Sequence, residues 1–236
     1  SLMKMFVIVD ADAKGTNNVH ALIDSALTTD VTTGFTDPAV PRNLRVVNSD
    51  SGLYAGGVFC TLQNIELEVR GVPHGVFGHH GIDMGGNDNL LTEFDFRQMF
   101  IHDISVTHGA GNVASNGKGL DLCFDHHKRA PYENLFTNLD LGAGTRMFRS
   151  GGGAALGRHS GARETFWNIR AEKAQTHPGA FGPASMNFVA VSSKQPSIKE
   201  KEGKWFEPIA PEKIEPRDLH LAQKELAHAK ALAKGR

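Results

Sequence analysis

Short runs in which apolar and polar residues alternate recur along this chain, and such alternation puts every second side chain on one face of an extended strand. The clearest pair is Leu120-Asp-Leu-Cys-Phe124 and Leu135-Phe-Thr-Asn-Leu-Asp-Leu141. Both predict strands. Between them lie Asp125, His126, His127, Lys128, Arg129 and Tyr132, a polar and proton-active corner.

The alternation repeats from about residue 60 to 192. Its core is a polar residue followed by apolar-polar-apolar: Asn64-Ile-Glu-Leu67, Asp103-Ile-Ser-Val106, Asn138-Leu-Asp-Leu141 and Asn168-Ile-Arg-Ala171, with lead apolar positions 39, 35 and 30 residues apart. A second set falls between them: Gly81-Ile-Asp-Met84, Gly119-Leu-Asp-Leu122, Met147-Phe148 and Met186 to Val191. Irregular periods of this length suit a solenoid, in which each coil covers its neighbour and insertions become loops. A β-sandwich would place turns more tightly, about every 8–12 residues.

Three segments are expected. Residues 1–58 are β-rich and polar, forming either the first coils or a small separate module; 59–195 carry the repeat; 196–236 are Pro- and charge-punctuated before a run of helix formers. Asp218 is placed to cap a helix in which Leu219, Ala222, Leu226 and Ala229 share a face. Trp205, Phe206 and this helix are expected to cap the solenoid's end.

Composition narrows the function classes. The 236 residues include 26 Gly and 14 Phe and are 40% hydrophobic, which describes a folded, turn-rich chain. A formal net charge of −1 draws the whole molecule neither to nucleic acid nor to an anionic membrane. No stretch approaches the roughly 18 apolar residues of a membrane span, and no signal peptide is visible. Cys60 and Cys123 sit in apolar strand contexts and read as buried free thiols.

Several segments between about Gly71 and Gln223 together resemble the C-terminal part of pectate-lyase-like proteins with a right-handed parallel β-helix, from bacterial polysaccharide-degrading systems. They are Gly81-Ile-Asp-Met-Gly-Gly86, Lys118 to His127, Ala130-Pro-Tyr-Glu-Asn-Leu135, Gly142-Ala-Gly-Thr-Arg146, Ala162 to Ile169 and Asp218 to Gln223, and the likeness covers about two thirds of the chain. It implies an all-β, right-handed parallel β-helix, a secreted or periplasmic setting and an acidic or sulfated polysaccharide as partner. Lyases, hydrolases and non-catalytic binders share this fold, so the chemistry must come from the site. Asp37-Pro-Ala-Val-Pro-Arg-Asn-Leu-Arg-Val-Val47 and the Asn48 to Gly52 turn also resemble small β-sandwich modules of phage virion proteins.

A β-eliminating lyase must remove the proton α to a uronate carboxyl group, neutralise that carboxylate and protonate the leaving oxygen. His127 or Lys128 would be the base, Arg129 the bidentate clamp and Tyr132 the proton donor. Substrate contacts are expected from His126 and, on the Gly151-Gly-Gly153 loop and its flanks, from Arg146, Arg149, Arg158 and His159. The bland alternative is a solvated turn with His126 satisfied internally. His74, His79, His80, Asp83 and Asp125 are candidate metal ligands, Zn²⁺ through His or Ca²⁺ through Asp, without diagnostic spacing. A glycoside hydrolase pairing two of Asp83, Asp121 and Asp125 is the enzymatic rival. A non-catalytic glycan-binding or phage attachment module is the third reading. His102, Asp103 and His108 are expected to be turn or ladder polar groups.

Overall fold

A computed structural model describes residues 42–70, 75–76, 78–175, 178, 185–192, 199–201 and 204–234. Most of the expected N-terminal module, residues 1–41, and the candidate ligand His74 lie outside the described residues.

Two parallel sheets account for nearly all the described strands. The larger contains β1 (Arg42–Val47), β3 (Thr61–Glu68), β5 (Leu90–Arg97), β7 (Val113–Gly119), β9 (Leu135–Asp140), β10 (Thr165–Arg170), β11 (Met186–Val191) and β13 (Lys204–Glu207), in that spatial order. A short strand, β12 (Lys199–Lys201), pairs antiparallel with β13 at the end. The smaller sheet contains β2 (Ser51–Tyr54), β4 (His80–Asp83), β6 (His102–Val106) and β8 (Phe124–His126). Among the described residues the chain thus shuttles between sheets until β8, after which its strands belong to the larger sheet. One helix, α1 (Leu219–Lys234), follows. It is not long and apolar enough to cross a membrane.

Residues 42–54 supply β1 and β2, which pair with β3 and β4. This part of the phage-module likeness is therefore continuous with the two sheets. The strand expected at Leu120–Phe124 begins only at Phe124, so Asp125 and His126 lie in β8 rather than in a turn. Met147-Phe148 forms no strand. Met147 instead runs beside β8, its carbonyl accepting from Phe124 N–H at 2.7 Å.

Why the apparent repeat was irregular is visible in the backbone. Asn43, Asn64, Glu93, Asn116, Asn138, Asn168 and Ala190 all have φ between 51° and 58° and occupy one register position across the larger sheet. Each left-handed residue bends its strand, so two polar positions precede the next inward residue. Asn tolerates this conformation better than most residues, which explains its predominance. Its amides also stack: Asn64 donates to Asn43, and Asn138 to Asn116, at 2.6 Å. Successive bends are 21, 29, 23, 22, 30 and 22 residues apart, counted from these positions. Asp103 belongs to the smaller sheet. Grouping it with Asn64 and Asn138 mixed two ladders and gave spacings that were too long.

The core lies between the sheets. Leu62, Leu91, Ala114, Phe136, Phe166, Phe188 and Phe206 form one column. Its last four rings stack nearly parallel at 4.7, 5.1 and 4.9 Å, so Phe206 continues the core into β13. Cys60 and Cys123 are buried and unbridged.

A second, buried ladder crosses the coils. Asn89 Oδ1 accepts from Cys60 N–H at 2.8 Å, Asn112 Oδ1 from Asn89 N–H at 3.1 Å, and Asn134 Oδ1 from Asn112 N–H at 3.0 Å. Glu164 Oε1 ends the series, accepting from Asn134 Nδ2 at 2.9 Å. The three Asn oxygens satisfy interior backbone N–H groups at the entries to β3, β5 and β7. Asn112→Ala, which also orphans Gly86 O, is expected to lower unfolding free energy by about 2 kcal/mol, measured as a shift of the urea midpoint at unchanged slope.

Candidate functional site

In-register stacking of the smaller sheet brings four histidines together at its β8 end. His80 pairs with His102 across β4 and β6, and Asp83, Ser105 and Asp125 form the next column. The His79 and His80 rings stack at 4.3 Å; His80 and His102 are 5.1 Å apart, and His102 and His127 6.2 Å. Asp125, which is wholly buried, contacts His102 and His127, and its charge is felt at His80. Its Oδ2 lies 2.9 Å from His127 Nε2 and 3.1 Å from His102 Nδ1, and its Oδ1 accepts from Gly151 N–H at 2.6 Å. Ser105 Oγ stands between Asp125 Oδ2, at 3.4 Å, and His80 Nδ1, at 3.3 Å. Ser105 is fully buried and is no accessible nucleophile.

These contacts divide the titrations. Burial alone would raise the Asp125 carboxyl, but the His127 ring, the Gly151 N–H and the charge of His102 together hold it below the usual carboxylate value. The same hydrogen bond raises His127, against burial. His80 is pushed down to about 4 by burial and then by the neighbouring His79 and His102, and His102 falls for the same first reason. Burial raises Asp83, whose two oxygens accept from Thr107 Oγ1 at 2.8 and 2.9 Å. The cluster therefore sets Asp125, a carboxylate whose ionised form is favoured, beside His127, an imidazole with a strengthened hold on its proton.

His127 is the expected residue that the structure places best. It is half-buried, on the accessible side of Asp125. Lys128 lies beside it, its Nζ donating to Gly153 O at 3.1 Å, and Arg129 is exposed. Arg149 and Arg158 are exposed on the loop that passes β8, and the Arg149 charge is felt at His102. His159 closes this side, its Nδ1 donating to His126 O at 2.6 Å. The Gly-rich loop thus covers the edge of β8.

Three of the expected residues are placed apart from the Asp125–His127 edge. His126 faces inward and is completely buried. Its Nε2 is 2.5 Å from Glu164 Oε2 and its Nδ1 2.9 Å from Phe124 O, so it touches no substrate. Arg146 is an internal clamp, with Nη1 donating to Phe100 O and Nη2 to Asp103 Oδ2, both at 2.6 Å, on a side chain only 9% exposed. Tyr132 belongs to a different ladder, bridged to Ala110 and Ala162, with Arg163 over its ring at 5.9 Å. Asp121 is likewise engaged, by Thr145 and Arg146.

As for metals, among the described residues no group of three or more His, Cys, Asp or Glu side chains could hold an ion. His79, His80, Asp83 and Asp125 are brought near one another without forming a ligand set. Asp103 is a ladder group, as expected, bonding Phe100 N–H, Cys123 N–H and Arg146. His102 is not merely one, because it joins the Asp125 cluster. The signal for it was the 22-residue step from His80, which equals one coil. No protein-family model, curated protein or solved structure matches this chain.

Proposed function

We propose that the chain is a right-handed parallel β-helix protein, secreted or periplasmic, that cleaves an acidic polysaccharide by β-elimination at the β8 edge. The solenoid reading is supported by the shuttling of the chain between two parallel sheets and by ladders that repeat once per coil. The observation that carries the chemistry is the Asp125–His127 pair. Nε2–H of His127 donates to Asp125, which leaves Nδ1 as the basic end of the neutral ring.

In this reading Nδ1 takes the proton α to the uronate carboxyl group. The C–H electron pair becomes the new double bond, and the bond to the leaving oxygen breaks. Lys128, Arg129 and Arg149 neutralise the carboxylate and so stabilise the charge that develops on it. Asp83, in which burial favours the proton-carrying form, takes the place of Tyr132 as donor to the leaving oxygen. The paired-carboxylate hydrolase loses support because Asp125 is shut off from solvent and Asp121 is tied to Thr145. Neither presents a free oxygen to a sugar or a water.

The test is to incubate the protein with uronate-containing glycans and follow ultraviolet absorbance of unsaturated ends. Reducing ends without that absorbance would replace the lyase by a hydrolase, and binding without either product would leave a recognition module. The pH dependence is also set. The base is the neutral ring, and Asp125 raises its pKa, so kcat/KM should climb with pH to a midpoint above the ordinary histidine value of about 6.5. A midpoint below that value would exclude His127 as the base.

A further inference from the structure

Helix α1 begins docked and then leaves the sheets. Asp218 caps it, its Oδ1 accepting from His220 and Leu221 N–H, while Asp218 Oδ2 takes Asn116 Nδ2 at 2.5 Å and Leu219 N–H donates to Thr137 Oγ1 at 3.0 Å. Beyond this first turn none of the described residues buries a side chain of the helix. The helix runs 16 residues without one buried side chain, and Leu221, Leu226 and Leu232 are 48%, 55% and 60% exposed. Isolated helices of this length are marginal in water.

Its sequence supplies the missing surface. Leu219, Ala222, Leu226, Ala229 and Ala233 alternate at spacings of three and four, as the a and d positions of a heptad. The stripe that meets the chain's own β9 in the first turn therefore continues, uncovered, to the end. Glu225 then falls at g and Lys230 at e, on opposite flanks of the stripe. Within its own helix Glu225 has Leu221 and Ala229 four residues away, and Lys230 has Leu226 and Lys234, so neither finds an opposite charge at the productive spacing. Neither makes an ion pair among the described residues. In a parallel pair of such helices, g of one chain meets e of the other five residues further on, and 225 and 230 are five apart.

We infer that the Leu226–Ala229–Ala233 stripe of α1 is a self-association surface, on which the same helix of a second copy lies parallel, with Glu225 of each chain against Lys230 of the other. It is independent of the lyase reading. Small Ala residues at d let the helices approach closely, and Leu232, at the next g position two turns beyond Glu225, widens the apolar contact. The contact is short, so assembly is concentration-dependent.

Sedimentation of the full chain over a range of concentrations tests this, with circular dichroism confirming the fold of each variant. The wild type is expected to associate, and Leu226→Glu to be monomeric throughout. Glu225→Lys and Lys230→Glu should each weaken association at least tenfold, and the double exchange should restore it. A wild type monomeric at every concentration overturns the inference, including the case in which hydrogen exchange shows Leu226 protected by the chain's own N-terminal residues. So does an assembly unaffected by Leu226→Glu, or a double exchange that fails to rescue.

Discussion

His127→Ala should reduce the formation of unsaturated product by roughly 10²–10⁴-fold, the range removed with a general base, while leaving the thermal unfolding midpoint nearly unchanged. The side chain is partly exposed and its loss opens no internal cavity. Asp125→Asn should cost a similar factor for a different reason. An amide in that position no longer stabilises the protonated ring, and it can present NH₂ instead of an acceptor to His127 Nε2–H, favouring the wrong tautomer. The two losses should not add, because both act through one imidazole. Arg129→Ala should lower kcat as well as raise KM, because the charge it meets grows in the transition state. Steady-state rates on one uronate polymer would decide all three. Intact activity in His127→Ala would remove the site assignment.

The largest expected effect on stability is at Glu164. Its carboxylate closes the buried Asn ladder and faces His126 Nε2, and both side chains are wholly buried. Removing one member of a buried charged pair leaves the other desolvated without compensation, so Glu164→Ala should lose about 3–5 kcal/mol, while Glu164→Gln should lose less, because its amide oxygen still accepts from Asn134 Nδ2 and its NH₂ can donate to Nε2 of a neutral His126 whose Nδ1–H donates to Phe124 O. The pair also sets a pH dependence. Burial would lower His126, but Glu164 outweighs it and the folded value lies above the usual one. The contribution of this proton is therefore complete below the unfolded histidine value and fades as pH rises through the raised folded value. Denaturation midpoints at mildly acidic and alkaline pH should show this decline in the wild type and not in Glu164→Ala.

Much of the strand content was legible because alternation is local. So was the helix: Asp218 followed by a 3–4 apolar pattern specifies a cap and a helix, and both are present. The pairing of strands was less legible. Bends 21 to 30 residues apart cannot be aligned by a fixed period, which is how Asp103 was drawn into the ladder of Asn64. The charge of an arginine was equally uninformative about its use, since Arg146 and Arg149 stand three residues apart and one is an internal clamp while the other is exposed.

What the sequence by itself determined is what neighbouring residues can settle between themselves: which positions alternate, where a helix is capped, and that a polar corner holding His126 and His127 follows the Leu120–Phe124 alternation. Only the tertiary structure decided which of those two histidines faces Glu164 in the core and which faces Asp125 at the edge. It alone also brought His80, His102 and Gly151 to the same carboxylate. Those meetings depend on the register between coils, fixed by how whole layers of Leu and Phe pack on one another, and no stretch of chain shorter than a coil contains that information.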